Sequence, residues 1–347
     1  MNFDLLGFVR TNKRVFIWTA FFGLLYLVRG FFGLVFLTFI LCFVFNNLIE
    51  WLERKSRLPR RLWTVLIYIV FLALVVTAVS YIFPRLIEES RVFINQIPET
   101  QEKVHDFMDR LAEQQPNLAP LTERAKEGLS IKTLAGTDKK TLVALALASF
   151  SGITHYFSFI LLGTLFSFLI LFDYPNLRAR TTALSQTRLR EVYDETADSV
   201  VQFARVVGAS FQAQMLIACI NTMLTSLGLW GLGIHPIALL SAIVLMSGLI
   251  PVLGVFISSV PIILVTFNTG GFRLAAAGLV MIIIVHIIEA YILNPNIISA
   301  VMKINPVLIL IILYIGYSLF GLWGVLLGVP VAVYIYRRAI LERPARG

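Results

Sequence analysis

Apolar residues in this chain come in long continuous runs, and between residues 208 and 336 only Arg273, Glu289 and Lys303 carry a formal charge. About 20 apolar residues in helix cover a hydrocarbon core roughly 30 Å thick, and only helices or closed barrels satisfy their backbone polar groups there. Continuous runs select helices, because barrel strands alternate. The pattern predicts an all-α, polytopic integral membrane protein with eight transmembrane helices, at 15–28, 31–49, 62–83, 152–172, 209–230, 236–267, 274–293 and 306–336.

The interruptions organise the rest. Arg29 and Gly30 split an apolar stretch too long for one ordinary span. The segment 236–267 carries Gly248, Pro251, Gly254 and Pro261, so it is expected to be kinked, broken or partly re-entrant. Gly316, Gly321, Gly324, Gly328 and Pro330 raise the same question for 306–336. Residues 85–140 hold 9 basic and 10 acidic residues and no apolar run. They predict a small extracytoplasmic helical module. In it Leu86, Ile87, Ile94, Ile97, Val104, Phe107, Met108 and Leu111 recur at helical spacing, which extends the third span as an amphipathic helix that Pro98 and Pro116 bend or end. The expected organisation is an N-terminal membrane part (1–83), the module (84–149), span four (150–174), a cytoplasmic amphipathic stretch (175–207) and a C-terminal membrane core (208–347).

Composition agrees: 58% hydrophobic against 14% charged departs far from soluble usage. The net charge of +9 does not point to nucleic acid, because the basic residues cluster in short segments beside apolar runs, where topology-setting charges belong. With both termini cytoplasmic and eight crossings, 18 basic residues fall on inside segments, and Arg29 and Lys303 alone fall on the short outside turns. Merging the first two spans, or splitting the sixth into two full crossings, breaks that asymmetry. The first apolar run exceeds signal-peptide length and is expected to stay in the mature protein. Cys42 and Cys219 sit inside apolar runs and read as small hydrophobes. Trp18, Trp51, Trp63 and Trp230 fall near span ends and read as interface anchors.

Candidate chemistry is sparse. No G-x-x-x-x-G-K-[ST] phosphate loop occurs, which argues against an ATP-driven pump. His286 and Glu289 share a helix face but lack the second histidine of a zinc-hydrolase motif, and no G-x-S-x-G surrounds Ser241, Ser247, Ser258 or Ser259. No enzyme activity, cofactor or metal is expected. Glu289 is the sharpest residue, because an ionisable group in a span is costly and marks a bundle interior or a wet path; the plainer reading puts it at a solvated helix end. His286, one turn deeper, either shares a proton or ion with Glu289 or bonds to a neighbouring helix. The broken stretch from Ser247 through Gly248 and Pro251 to Gly254 leaves carbonyls and helix ends free to meet a polar substrate, as in many secondary transporters. Gly316, Gly321, Gly324 and Pro330 read as helix-packing or gating positions; small residues also permit tight crossings.

The order Ile250-Pro251, Gly254, Glu289, Asn294-Pro295, Pro306, Gly316, Gly321, Gly324 and Pro330 resembles the AI-2E family of autoinducer-2 exporter-like transporters, and Gln214 matches a glutamine the family shows early in its fifth span. The likeness covers nearly all of the chain. It implies a homo-oligomeric (pentameric) secondary transporter in the cytoplasmic (inner) membrane of a bacterium, with the lipid bilayer and a small-molecule or ion substrate as partners and no nucleic acid. The substrate or ion path would run along Gln214, Ser247, Gly248, Pro251, Gly254, His286, Glu289, Asn294 and Pro295. Family members export autoinducer-2 or exchange sodium or lithium for protons. Gly248 stands where many members carry Asp or Asn, which weakens the carry-over of cation coupling. A non-transporting scaffold that uses the soluble module as its surface is the third reading.

Overall fold

The computed structural model describes residues 13–27, 29–115, 117, 120, 122–123, 153–297 and 306–336, and among these every regular element is helical. The helices are α1 (Lys13–Leu27), α2 (Phe32–Lys55), α3 (Arg60–Thr77), α4 (Phe83–Gln114), α5 (Ile153–Phe172), α6 (Tyr174–Ala183), α7 (Arg190–Gly231), α8 (Ile237–Gly248), α9 (Leu253–Ile288), α10 (Asn294–Ile297) and α11 (Pro306–Tyr336). Among the described residues, four stretches are long and apolar enough to cross a membrane: Arg29–Lys55, Arg60–Gln114, Arg190–Gly231 and Leu253–Leu293. A fifth joins Phe157–Phe172 to Tyr174–Gln186 across a 73° bend. The expected α1/α2 break appears as a short 3-10 turn at Arg29–Phe31.

The chain forms two compact units. The first draws on Met1–Leu72, Tyr156–Gln212 and Leu310–Gly347, the second on Ala73–His155 and Ala213–Ile309. In the first, Phe45, Ile49, Ile67, Tyr68 and Leu171 pack α2, α3 and α5 together, and the Tyr68 hydroxyl donates to Ser167 Oγ at 2.8 Å. A second cluster, with Phe36, Ile40, Val207, Phe211 and Leu327, joins α2, α7 and α11. Lys13 and Arg14 of α1 pair with Glu191 and Glu195 at the start of α7 at 2.7 and 3.2 Å.

Helix α11 is not one rod. Gly321 adopts φ 59° and ψ −141°, a region open essentially to glycine, and the chain reverses there. An added Cβ on Gly324 would run into the Gly316 carbonyl, and one on Gly328 would lie 3.1 Å from Ile312 Cγ2. An unbroken helix would hold the second pair about 24 Å apart. Residues 306–336 are therefore a helical hairpin closed by facing glycines.

The second unit repeats the device. Within α9, Gly270 and Gly271 leave helical geometry, Gly271 at φ 64°. Beyond them Gly278 packs on Thr266, where an added Cβ would sit 2.9 Å from the threonine methyl, although twelve residues of helix span about 18 Å. The two arms, α9a before the glycines and α9b after them, run antiparallel. Helix α8 folds back on α9a as well: Gly254 abuts the Ser247 carbonyl, and Leu240 and Val244 share a buried cluster with Ile262 and Val265. The sequence-predicted segment 236–267 is thus broken between α8 and α9a. Two other boundaries stand out. A π-turn at Ala78–Ile82 carries span three into α4, which runs through Pro98 and stops before Pro116, because the residue preceding a proline resists helix. The amphipathic stretch and span five merge into one 42-residue helix, α7. Most of the predicted module beyond Gln115, and the link carrying Lys303, lie outside the described residues.

Candidate functional site

The second unit holds a cavity of about 50 Å³ where α7, α8, α9a and α9b meet at the α8/α9a break. Apolar walls come from Val244, Ile250, Val252, Val255, Ile262, Ile282 and Val285. Asn221, Thr225, Ser258, His286 and Glu289 bring polar side chains, and Gly248 and Gly254 bring bare backbone. The volume suits a few waters or one small cation.

The break shapes the wall. Helix α8 ends at Gly248, and Val252, a β-branched residue, is held at φ 67° and ψ −51° while the Leu253 N–H donates to the Pro251 carbonyl at 2.7 Å. This is a γ-turn, a strained conformation that persists only where surrounding packing over-determines it. The glycines explain how: no side chain fits at Gly254 against the Ser247 backbone, and Gly248 lies so close to α7 that an added Cβ would meet Ala218 Cβ at 3.2 Å. Gln214 of α7 donates from Nε2 to the Gly248 carbonyl at 2.7 Å and so satisfies one of the acceptors that the end of α8 leaves open.

The polar centre is a carboxylate and an amide. Asn221 Nδ2 donates to Glu289 Oε2 at 2.7 Å, and His286 Nδ1 lies 3.8 Å from the same oxygen, beyond hydrogen-bond reach. Glu289 opens the π-turn Glu289–Leu293, a helix irregularity that often accompanies functional sites. Its side chain is 21% exposed. Asn221 is 7% exposed, and its Oδ1 is buried with no hydrogen-bond donor. An orphaned buried oxygen is costly, and a donor or small cation in the cavity would satisfy it. A carboxylate, an amide oxygen and a threonine hydroxyl make a hard-oxygen set, suited to a proton or small cation.

Of the residues singled out in the sequence, Gly248, Gly254, His286 and Glu289 line the cavity, and Gln214 and Pro251 shape its break. Ser247 is buried but donates to the Ile243 carbonyl of its own helix. Asn294 and Pro295 begin α10, outside the cavity lining. Gly316, Gly321, Gly324 and Pro330 build the α11 hairpin of the first unit. Sequence reasoning missed Asn221 and Thr225. The signal was present: Gln214, Asn221 and Thr225 fall at i, i+7 and i+11, a polar stripe on one face of span five.

A family profile described as AI-2E family transporter matches residues 15–340. The chain is similar to "Putative transport protein YdbI" of Bacillus subtilis, 27% identical over 330 residues that cover 93% of this chain and 90% of that protein. It is also similar to "Putative transport protein YueF" of the same organism, at 23% over 334 residues, 94% and 85% of the two chains. A protein of Halobacillus andaensis named sodium-lithium/proton antiporter is 21% identical over 351 residues, 91% and 92% of the two chains.

Proposed function

The chain belongs to the AI-2E transporter family, and from that premise we propose that it is a secondary transporter exporting a small solute, such as an autoinducer-2-like signalling molecule, along the cavity of the second unit. The observation that carries the reading is a cavity with polar groups at a strained helix break, within a stretch, 208–336, whose only formal charges are Arg273, Glu289 and Lys303. Broken helices with free ends are how many secondary transporters bind substrate. The cavity is too small for an organic solute, so export requires the break to open. Purified protein in liposomes, given labelled autoinducer-2 with and without an imposed proton gradient, tests this; gradient-insensitive flux equal to empty liposomes would leave the scaffold reading.

The second reading is exchange of sodium or lithium for protons. The orphaned Asn221 Oδ1 beside the Glu289 carboxylate favours it, as does the name of the Halobacillus relative. Liposomes loaded with a pH-sensitive dye decide between the two: under antiport, sodium added outside enters in exchange for luminal protons and alkalinises the lumen.

The fold-backs also support a topology of six crossings with two re-entrant hairpins, at 237–269 and 306–336. The reversal at Gly321 and the fold-back of α8 on α9a return each segment to the side it entered from, and α8 spans about 18 Å, short of a roughly 30 Å core. Both termini remain cytoplasmic, and 84–149 remain outside. The basic residues stay divided 18 to 2, because Arg273 moves outside as Lys303 moves inside. Assembly as a homo-oligomer, a pentamer by family likeness, in the inner membrane completes the proposal.

A further inference from the structure

Two ends of the α8/α9a hairpin are held by different chemistry. At the base, where α8 begins and α9a ends, the partner is α4. Pro236, at the N-cap of α8, offers no side-chain cap, and the Leu239 N–H instead donates to Glu89 Oε2 of α4 at 2.7 Å. A carboxylate there neutralises the positive end of the helix as well as an orphan donor. At the other terminus of the hairpin Lys103 Nζ donates to Asn268 Oδ1 at 3.0 Å and to the Asn268 carbonyl at 3.3 Å. A cation at a helix C-terminus is the complementary match. Phe107 then spans the Gly270–Gly271 reversal, edge-on to Phe267 at 6.0 Å and stacked on Phe272 at 5.2 Å. Phe93 adds to the buried cluster around Leu240 and Ile262.

The break end is held far more lightly. Nearer the base, Ser226 and Ser241 share a 2.6 Å hydrogen bond between α7 and α8 and Leu229 packs in the buried cluster, but at the break itself the polar tie to α7 is the neutral hydrogen bond from Gln214 to the Gly248 carbonyl, with Gly248 resting on Ala218. Hydrogen bonds to charged groups are the stronger class, and the base has them on both helix termini.

We propose that this hairpin pivots at its base and opens at its break, with Glu89, Lys103 and Phe107 as positioning residues that pin the base and Gln214 as the catch that holds the break against α7. Opening then exposes Ser258, Glu289 and Asn221 without unfolding the arms, and it relieves the γ-turn at Val252. The extramembrane helix acts as the fixed mount of the moving part, which gives α4 a role in transport although it lies away from the cavity. The proposal goes beyond the transport reading, and its test needs no transported solute.

The test uses Ser258→Cys as a cavity reporter in a full-length protein with Cys42 and Cys219 replaced by alanine, labelled by a small methanethiosulfonate in liposomes. Gln214→Leu keeps the side-chain bulk and removes the donor, and is expected to speed labelling about fivefold to tenfold, the worth of one hydrogen bond. In the parent Gln214 background, where the closed break shields the reporter, Lys103→Cys and Asn268→Cys are then joined by a short bismaleimide before the methanethiosulfonate is added. The linked and unlinked forms are expected to label at the same rate. Labelling of Gln214→Leu at the parent rate would overturn the catch, and suppression of labelling by the linked base would overturn the pivot. Identical elution volumes of all forms separate both results from misfolding.

Discussion

Replacing Gly324 by alanine isolates the contact that closes the α11 hairpin. Alanine is the better helix former by about 1 kcal/mol, so propensity alone predicts a more stable protein. The structure predicts the reverse. The new Cβ meets the Gly316 carbonyl and carbonyl carbon, which are backbone and cannot rotate aside, so the two arms must separate. Overpacking that forces backbone shifts costs about 1–3 kcal/mol, and a contact with no yielding side chain belongs at the upper end. After the propensity gain, a net loss of about 1–2 kcal/mol is expected. Two glycines calibrate it. Gly321→Ala meets no atom within 4 Å but inherits φ 59°, so its cost of about 1–3 kcal/mol is purely conformational. Gly30→Ala also meets nothing, at an ordinary φ, and should be neutral. Size-exclusion survival of detergent-solubilised protein after heating, or loss of tryptophan fluorescence on a temperature ramp, ranks the three variants. Gly324→Ala surviving heat as well as Gly30→Ala would refute the facing-glycine hairpin.

Glu289→Gln keeps size and hydrogen bonding but removes charge; if the carboxylate couples transport, solute flux should lose its pH dependence in assembled protein, and an unchanged profile would leave Glu289 a structural acceptor for Asn221. In that structural case Glu289→Leu should still impair assembly, because it leaves the Asn221 amide unpaired in an apolar site. Pro251→Ala should reduce flux at unchanged elution volume by letting the break regain helix, and full activity would make the break a packing feature. Exposed positions report topology: an impermeant thiol reagent on intact cells should label Glu99→Cys but not Arg57→Cys, and the opposite pattern would invert the proposed orientation.

Local features of this chain were legible because their causes are local. Apolar run length dictates helices at membrane depth, and the break at Gly248–Gly254 follows from glycine and proline in an otherwise unbroken run. The prolongation of span three into α4 could be read from apolar spacing alone. Glu289 could be singled out because an isolated charge in lipid is costly wherever its partners lie. What tertiary structure decided was direction and partnership. The same glycines at Gly316, Gly321 and Gly324 are compatible with a kink, a tight crossing or a reversal; one dihedral, φ 59° at Gly321, selects reversal, and glycine permits all three at similar cost. The choice is made by packing between arms that only the folded chain brings together. Asn221 lies 68 residues before Glu289, and Glu89 lies 150 before Leu239. No periodicity links such pairs, since a helical face says that a side chain points inward but not which helix it will meet, and that matching is set by how the arms dock over the whole unit.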